Sequence, residues 1–135
     1  MPAPIKTKRL RKYRDLDLDF LVHPMTNDIV GRTDVDAING SVINIIKTQR
    51  GERVFQSEFG STIYHSLFEP MQTETRVILE GAIEEAINTF EPRIELQGVK
   101  CTPDPDRNGY AVTIVYFPIN EGSPVELDFF LNRLR

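Results

Sequence analysis

Tryptophan is absent, cysteine occurs once and histidine twice in 135 residues. A lone Cys101 excludes an internal disulfide and any site built from several cysteines. It fits the reducing cytoplasm and, inside an apolar strand pattern, reads as a small core residue. His23 and His65 have no ligand pattern around them and read as structural or surface groups. No apolar run approaches the ~20 residues of a membrane span. The N-terminal stretch is basic without the apolar core of a signal peptide. Low-complexity tracts and internal repeats are missing as well. What is present suits one α+β domain, with 40% hydrophobic residues to build a core.

Acid is missing from the first 14 residues, where Lys6, Lys8, Arg9, Arg11, Lys12 and Arg14 give six positive charges. The whole chain carries −4, so the remainder carries about −10. The pattern predicts a basic arm over residues 1–13 and a single acidic domain over 14–135. Pro2 and Pro4 oppose helix in the arm. The acidic body argues against nucleic-acid binding by the domain, and the arm suits an acidic neighbour in an assembly.

Along the domain, residues 15–20 alternate strictly, which predicts a strand with Leu16, Leu18 and Phe20 on one face. Asp15, Asp17 and Asp19 then form its solvent face. Thr33 or Asp34 starts a helix whose apolar face is Val35, Ile38, Val42, Ile45 and Ile46. Residues 50–63 read as an extended segment closing at Gly60. A second helix is expected over Thr73 to Phe90. Three strands follow, over residues 93–102, 110–119 and 125–131, joined by an Asn108-Gly109 turn and a turn at 120–124. The expected architecture is a small, mainly antiparallel sheet of these three strands, joined by the N-terminal strand, with two helices packed on one face.

The junction at Glu91-Pro92-Arg93 organises this pattern. Leu79, Ile83, Ala86, Ile87 and Phe90 recur at helical spacing before it, and Ile94 and Leu96 alternate after it. Pro92 enforces the change, because it lacks an N–H and disfavours helical geometry at the residue before it. Glu91 and Arg93 then flank a rigid corner as a carboxylate and a guanidinium, a pair suited to docking.

Catalytic constellations are missing too. Ser57, Ser61 and Ser66 lack the sequence context of a nucleophile. Glu52, Glu58 and Glu69 are candidate carboxylates for glycoside hydrolysis, but nothing in their spacing sets two of them across a cleft. Asp104, Asp106 and Asn108 lie in a Pro-rich turn without the distal glutamate of a calcium loop. No cofactor and no metal ligand set is expected.

Two stretches together resemble a known family. The first is Arg50-Gly51-Glu52-Arg53-x-Phe55-x-x-Glu58-Phe59-Gly60, followed by Leu67-Phe68-Glu69. The second is Glu91-Pro92-Arg93 at a helix end. They resemble the contractile-tail baseplate wedge and sheath-initiator family of myoviruses, also represented in type VI secretion baseplates. The similarity runs over about residues 15–131. It departs at Ser57, where the family often has proline.

The resemblance implies a structural protein of the virion tail baseplate, assembled in the host cytoplasm and not an enzyme. It implies docking to the helical core bundle of the other wedge proteins through Glu91, Pro92 and Arg93, with Arg53, Phe59, Gly60 and Phe68 as further partner-binding residues. It also implies that the β domain templates the first sheath ring. Val125, Leu127 and Phe129 mark the strand proposed to accept a strand of the tail sheath protein. The tail tube is a further partner for the arm; nucleic acid and membrane are not expected. Some relatives carry a lysozyme-like name, which makes a peptidoglycan-degrading baseplate enzyme the alternative.

Overall fold

A computed structural model describes residues 13–17, 19–29 and 31–134. The basic residues before Tyr13, and Leu18 of the first predicted strand, lie outside the described residues. The elements run β1 (Arg14–Leu16), β2 (Gly31–Thr33), α1 (Asp34–Lys47), α2 (Ile63–Phe68), α3 (Thr73–Phe90), β3 (Ile94–Asp104), β4 (Gly109–Pro118) and β5 (Val125–Asn132).

The C-terminal third forms an antiparallel meander in the order β3-β4-β5. On β4, Tyr110, Val112, Ile114 and Tyr116 are fully buried, a period of two that puts every second side chain on the core face. Neighbouring strands add Cys101, Leu127 and Leu131. Helix α3 turns Leu79, Ile83, Ala86 and Ile87 inward, at spacings of four, three and one. Helix α1 adds Ile38, Val42 and Ile46, and α2 adds Ile63 and Leu67, to the same cluster. Each fully buried Ile or Leu contributes roughly 1.5–3 kcal/mol of transfer free energy. Gly109 has to be small: a Cβ there would lie 2.3 Å from the Leu131 carbonyl oxygen and against the Phe130 ring.

The α+β class and the meander match the sequence expectation, with these corrections. First, the N-terminal strand does not join the meander; β1 pairs antiparallel with β2 in a separate two-stranded sheet. It ends at Leu16 because a turn follows, where the Asp17 carboxylate accepts the Asp19 N–H at 3.1 Å. Its carbonyl accepts the Phe20 N–H at 3.0 Å. Second, Asp17 is buried while Leu16 and Phe20 are more than half exposed, against the predicted faces; Asp15 and Asp19 are exposed as expected. Third, residues 49–61 form a compact loop, not an extended segment; Gln49 and Ser61 bridge its ends. Fourth, α2 is a third helix, too short for its periodicity to stand out. Val35 is only half-buried, and Ala37 takes the inward place.

Candidate functional site

The corner is built by the last turn of α3. The Glu91 N–H still donates to the Ile87 carbonyl at 2.9 Å. Pro92 then turns the chain into β3, and the Ile119 N–H donates to the Arg93 carbonyl at 3.0 Å, tying the corner to the end of β4. The guanidinium grips the carboxylate with two bonds. Arg93 Nε donates to Glu91 Oε1 at 2.6 Å and Nη2 to Oε2 at 2.7 Å. Such a fork is short and geometrically specific.

Glu91 is 3% exposed, so this is a carboxylate inside the fold. Burial pushes its carboxyl up; hydrogen bonds from Arg93 and Ser41 and the Arg93 charge outweigh this and hold it below the ordinary 4.5. The hydrogen bond to Glu91 pushes Arg93 further up from its already high value. The pair is further enclosed by Tyr13, whose ring lies 5.2 Å from the guanidinium carbon. Tyr13 is itself fixed twice more. Its hydroxyl accepts from Asn120 Nδ2 at 3.0 Å, and its carbonyl accepts the Asp34 N–H at 2.8 Å. Behind the pair, the Tyr116 hydroxyl donates to Asn39 Oδ1 at 2.5 Å. Burial, then the Glu91 charge, push that phenol up to about 12.

The loop over residues 49–61 meets the corner through one aromatic contact. Phe59 lies 5.0 Å from Phe90, centroid to centroid, and Arg53 lies 4.7 Å above the Phe59 ring. The loop base is locked. Ser61 Oγ donates to the Ile46 carbonyl at 2.6 Å, and the Ser61 N–H to that of Thr48 at 2.9 Å. Gly60 allows this with φ +112°; a Cβ there would stand 2.4 Å from the Thr48 carbonyl oxygen. A cleft of about 300 Å³ runs between loop and helix, lined by Asn44, Thr48, Glu52, Arg53 and Phe59. The Glu52 carboxylate accepts the Gln49 N–H at 2.9 Å, as a cap on the loop. Among the described residues, no group of three or more His, Cys, Asp or Glu is placed to hold a metal ion. Burial and the Glu80 carboxylate push the Cys101 thiol up to about 12, so it is not a thiolate near neutral pH.

Of the residues singled out from sequence, Glu91, Pro92, Arg93, Arg53, Phe59 and Gly60 thus fall on connected pieces of one end of the molecule. Phe68 ends α2, near the start of α3, and is exposed. Eighteen helical residues, about 27 Å, separate the two ends of α3. Val125, Leu127 and Phe129 lie on β5, an edge of the meander, with Leu127 buried and the other two half-buried. Sequence reasoning passed over Tyr13, Ser41 and Asn120. An aromatic closing a run of cations is the one available signal, and Tyr13 falls within the predicted arm.

A family model described as baseplate wedge protein gp25 matches residues 32–120. Baseplate wedge protein gp25 of Enterobacteria phage T4 is 31% identical over 114 residues, covering 84% of this chain and 86% of that protein. Among solved structures, a putative tail lysozyme from Geobacter sulfurreducens superposes with a TM-score of 0.68 at 29% identity, over 73% of this chain and 89% of its own. A chain of the anti-feeding prophage baseplate gives a TM-score of 0.70 at 23% identity, over 83% and 90%. At that identity the second likeness speaks to fold alone.

Proposed function

The chain belongs to the baseplate wedge protein gp25 family, and we propose from that premise that it docks to other wedge subunits at its Glu91-Pro92-Arg93 corner and starts the tail sheath by strand addition. As a member it is a structural component of a contractile-tail baseplate, with other baseplate proteins as partners. The observation that carries the docking reading is the forked, buried ion pair at the corner. Glu91 is consumed within the chain, so its part is to aim Arg93. What a partner's helical bundle can reach is the exposed Pro92 and the outer edge of the guanidinium.

This geometry selects the experiment. Removing Arg93 strands a buried carboxylate and damages the fold, so Arg93→Ala confounds docking with stability. Pro92→Ser leaves the fork in place. Co-purification with the other wedge proteins should fall for Pro92→Ser at unchanged thermal stability; undiminished co-purification removes the corner from the interface.

Sheath initiation rests on β5. Among the described residues its outer edge is unpaired, so its backbone groups are available to an extended segment of a sheath subunit. Residues of opposite parity on a strand point their N–H groups to opposite edges. Glu126→Pro and Phe129→Pro therefore remove one inner and one outer donor. The variant that retains native stability is the outer one. It should join the wedge yet fail to nucleate sheath, and normal polymerisation from it dismisses β5 as template. The basic arm is proposed to hold an acidic neighbour such as the tail tube, a contact that high salt weakens.

The likeness to the putative tail lysozyme of Geobacter sulfurreducens supports a second reading, a peptidoglycan-cleaving enzyme. Turbidity loss of peptidoglycan on adding purified protein, abolished by Glu52→Gln, Glu58→Gln or Glu69→Gln, would establish it over the structural reading.

A further inference from the structure

Phe55 has a positive φ of 69° and its side chain is fully exposed. Left-handed backbone is unfavourable for a bulky residue and persists only where the surroundings enforce it. Here the loop frame enforces it. Gly51 N–H donates to the Ser57 carbonyl at 2.8 Å, Gln56 N–H to that of Arg53 at 3.3 Å, and Glu52 N–H to that of Gln49 at 3.0 Å. The adjoining Val54 is 74% exposed. The loop therefore holds two apolar side chains in water, on a conformation that gives the isolated chain no packing in return.

The surroundings limit what this projection fits. Arg53 lies over Phe59, Glu52 caps the loop, and Arg50 sits 3.9 Å from Glu85. The tip thus lacks the uncompensated cations of a membrane-binding segment. Two side chains also bury far less area than a stable dimer of this chain needs. A narrow, rigid, apolar projection with balanced charge fits a concave apolar pocket on another folded protein. Its position is continuous with the corner, through Phe59 packed at a tilt against Phe90, the residue before Glu91.

We infer that Val54 and Phe55 form an anchor that inserts into a side-chain-sized apolar pocket on the baseplate protein that also contacts the Glu91-Pro92-Arg93 corner. This rests on the wedge reading above. The corner supplies a charged, orienting contact, and the loop tip supplies desolvation.

Phe55→Asn tests it, because asparagine accepts left-handed backbone while removing the ring. Phe55→Leu keeps an apolar side chain. Each full-length variant is co-expressed with the wedge proteins of the same contractile tail, and its affinity for the assembled partners is measured. Phe55→Asn should bind about 30-fold more weakly or worse, as for a buried aromatic anchor. Phe55→Leu should retain most of the affinity, and both isolated variants should melt like the parent. A photo-crosslinking phenylalanine analogue at position 55 should couple to a wedge protein. Unchanged affinity of Phe55→Asn overturns the inference, and so does cross-linking only to a second copy of the chain. Binding of the parent, but not Phe55→Asn, to phosphatidylglycerol vesicles overturns it in favour of a membrane. If Pro92→Ser loses assembly while Phe55→Asn retains it, the wedge reading stands and the anchor falls.

Discussion

Glu91 and Phe55 make opposite choices, each against its own chemistry. A carboxylate is buried at the corner, and an aromatic ring stands in water at the loop tip. The corner's cost is met inside the chain, by a forked guanidinium, a Ser41 hydrogen bond and the Tyr13 ring stacked against Arg93. Nothing comparable offsets the exposed ring. The difference separates two kinds of unusual residue. Where the isolated chain supplies the compensation, the feature is architecture. Where it does not, the compensation is expected from a partner.

The largest expected effect comes from the glycine that holds the two regions together. Gly60→Ala would put a Cβ 2.4 Å from the Thr48 carbonyl oxygen on a backbone with φ +112°. Backbone strain and overlap together should cost about 3–5 kcal/mol in urea unfolding. A loss below about 1 kcal/mol would show that the loop shifts freely, and the rigid frame under Phe55 would be gone.

Breaking the corner comes next. Glu91→Gln removes the charge that pairs with a partly buried Arg93 and should cost about 2–3 kcal/mol, discounted because the guanidinium still reaches solvent. The same interaction sets a pH dependence. The folded carboxyl lies below its unfolded value of 4.5, so its stabilisation is fully present above about that pH. It is lost as pH falls through the lower, folded value. Parent stability should therefore drop in acid more steeply than that of Glu91→Gln. Parallel curves from pH 6 to 2 would mean the carboxylate contributes nothing by being charged.

Tyr13 sharpens the comparison from the other side of the ion pair. Tyr13→Phe keeps the ring against Arg93 and loses the Asn120 hydrogen bond, about 0.5–1.5 kcal/mol. Tyr13→Ala loses both, with a further ~0.5–1 kcal/mol for the cation–π contact. Equal melting temperatures for parent and Tyr13→Ala would detach this residue from the corner.

How much of this was legible in the sequence depends on the range of the interactions. Helix α3 and the meander were readable because their periodicities are long and Pro92 and Asn108-Gly109 punctuate them. The corner was readable as a corner, but its inward orientation was not. Tyr13 reaches Arg93, Ser41 reaches Glu91 and Asn120 holds Tyr13, from three distant parts of the chain, and no local pattern encodes that meeting. The N-terminal strand failed for the converse reason. Its alternation was genuine, but a local Asp17 turn ended it at Leu16. The loop over 49–61 offered Gly51 and Gly60 as turn signals, yet its apolar tip mimics a strand. Phe55 gives no hint in sequence that it sits at positive φ.

The smallest expected effect is on the stability of Phe55→Asn. Two contributions set its sign. Asparagine tolerates left-handed backbone, so the variant relieves part of a strain of order 1 kcal/mol. Against that stands only the packing lost with the ring, and a ring fully in water has almost none to lose. The variant should therefore unfold at the same urea concentration as the parent or slightly higher, a gain of about 0–1 kcal/mol. Glu91→Gln, by contrast, should lose stability. A destabilisation by Phe55→Asn of more than about 1 kcal/mol would mean that the ring packs within the free chain. The two regions would then no longer differ in kind, and both unusual residues would be compensated internally.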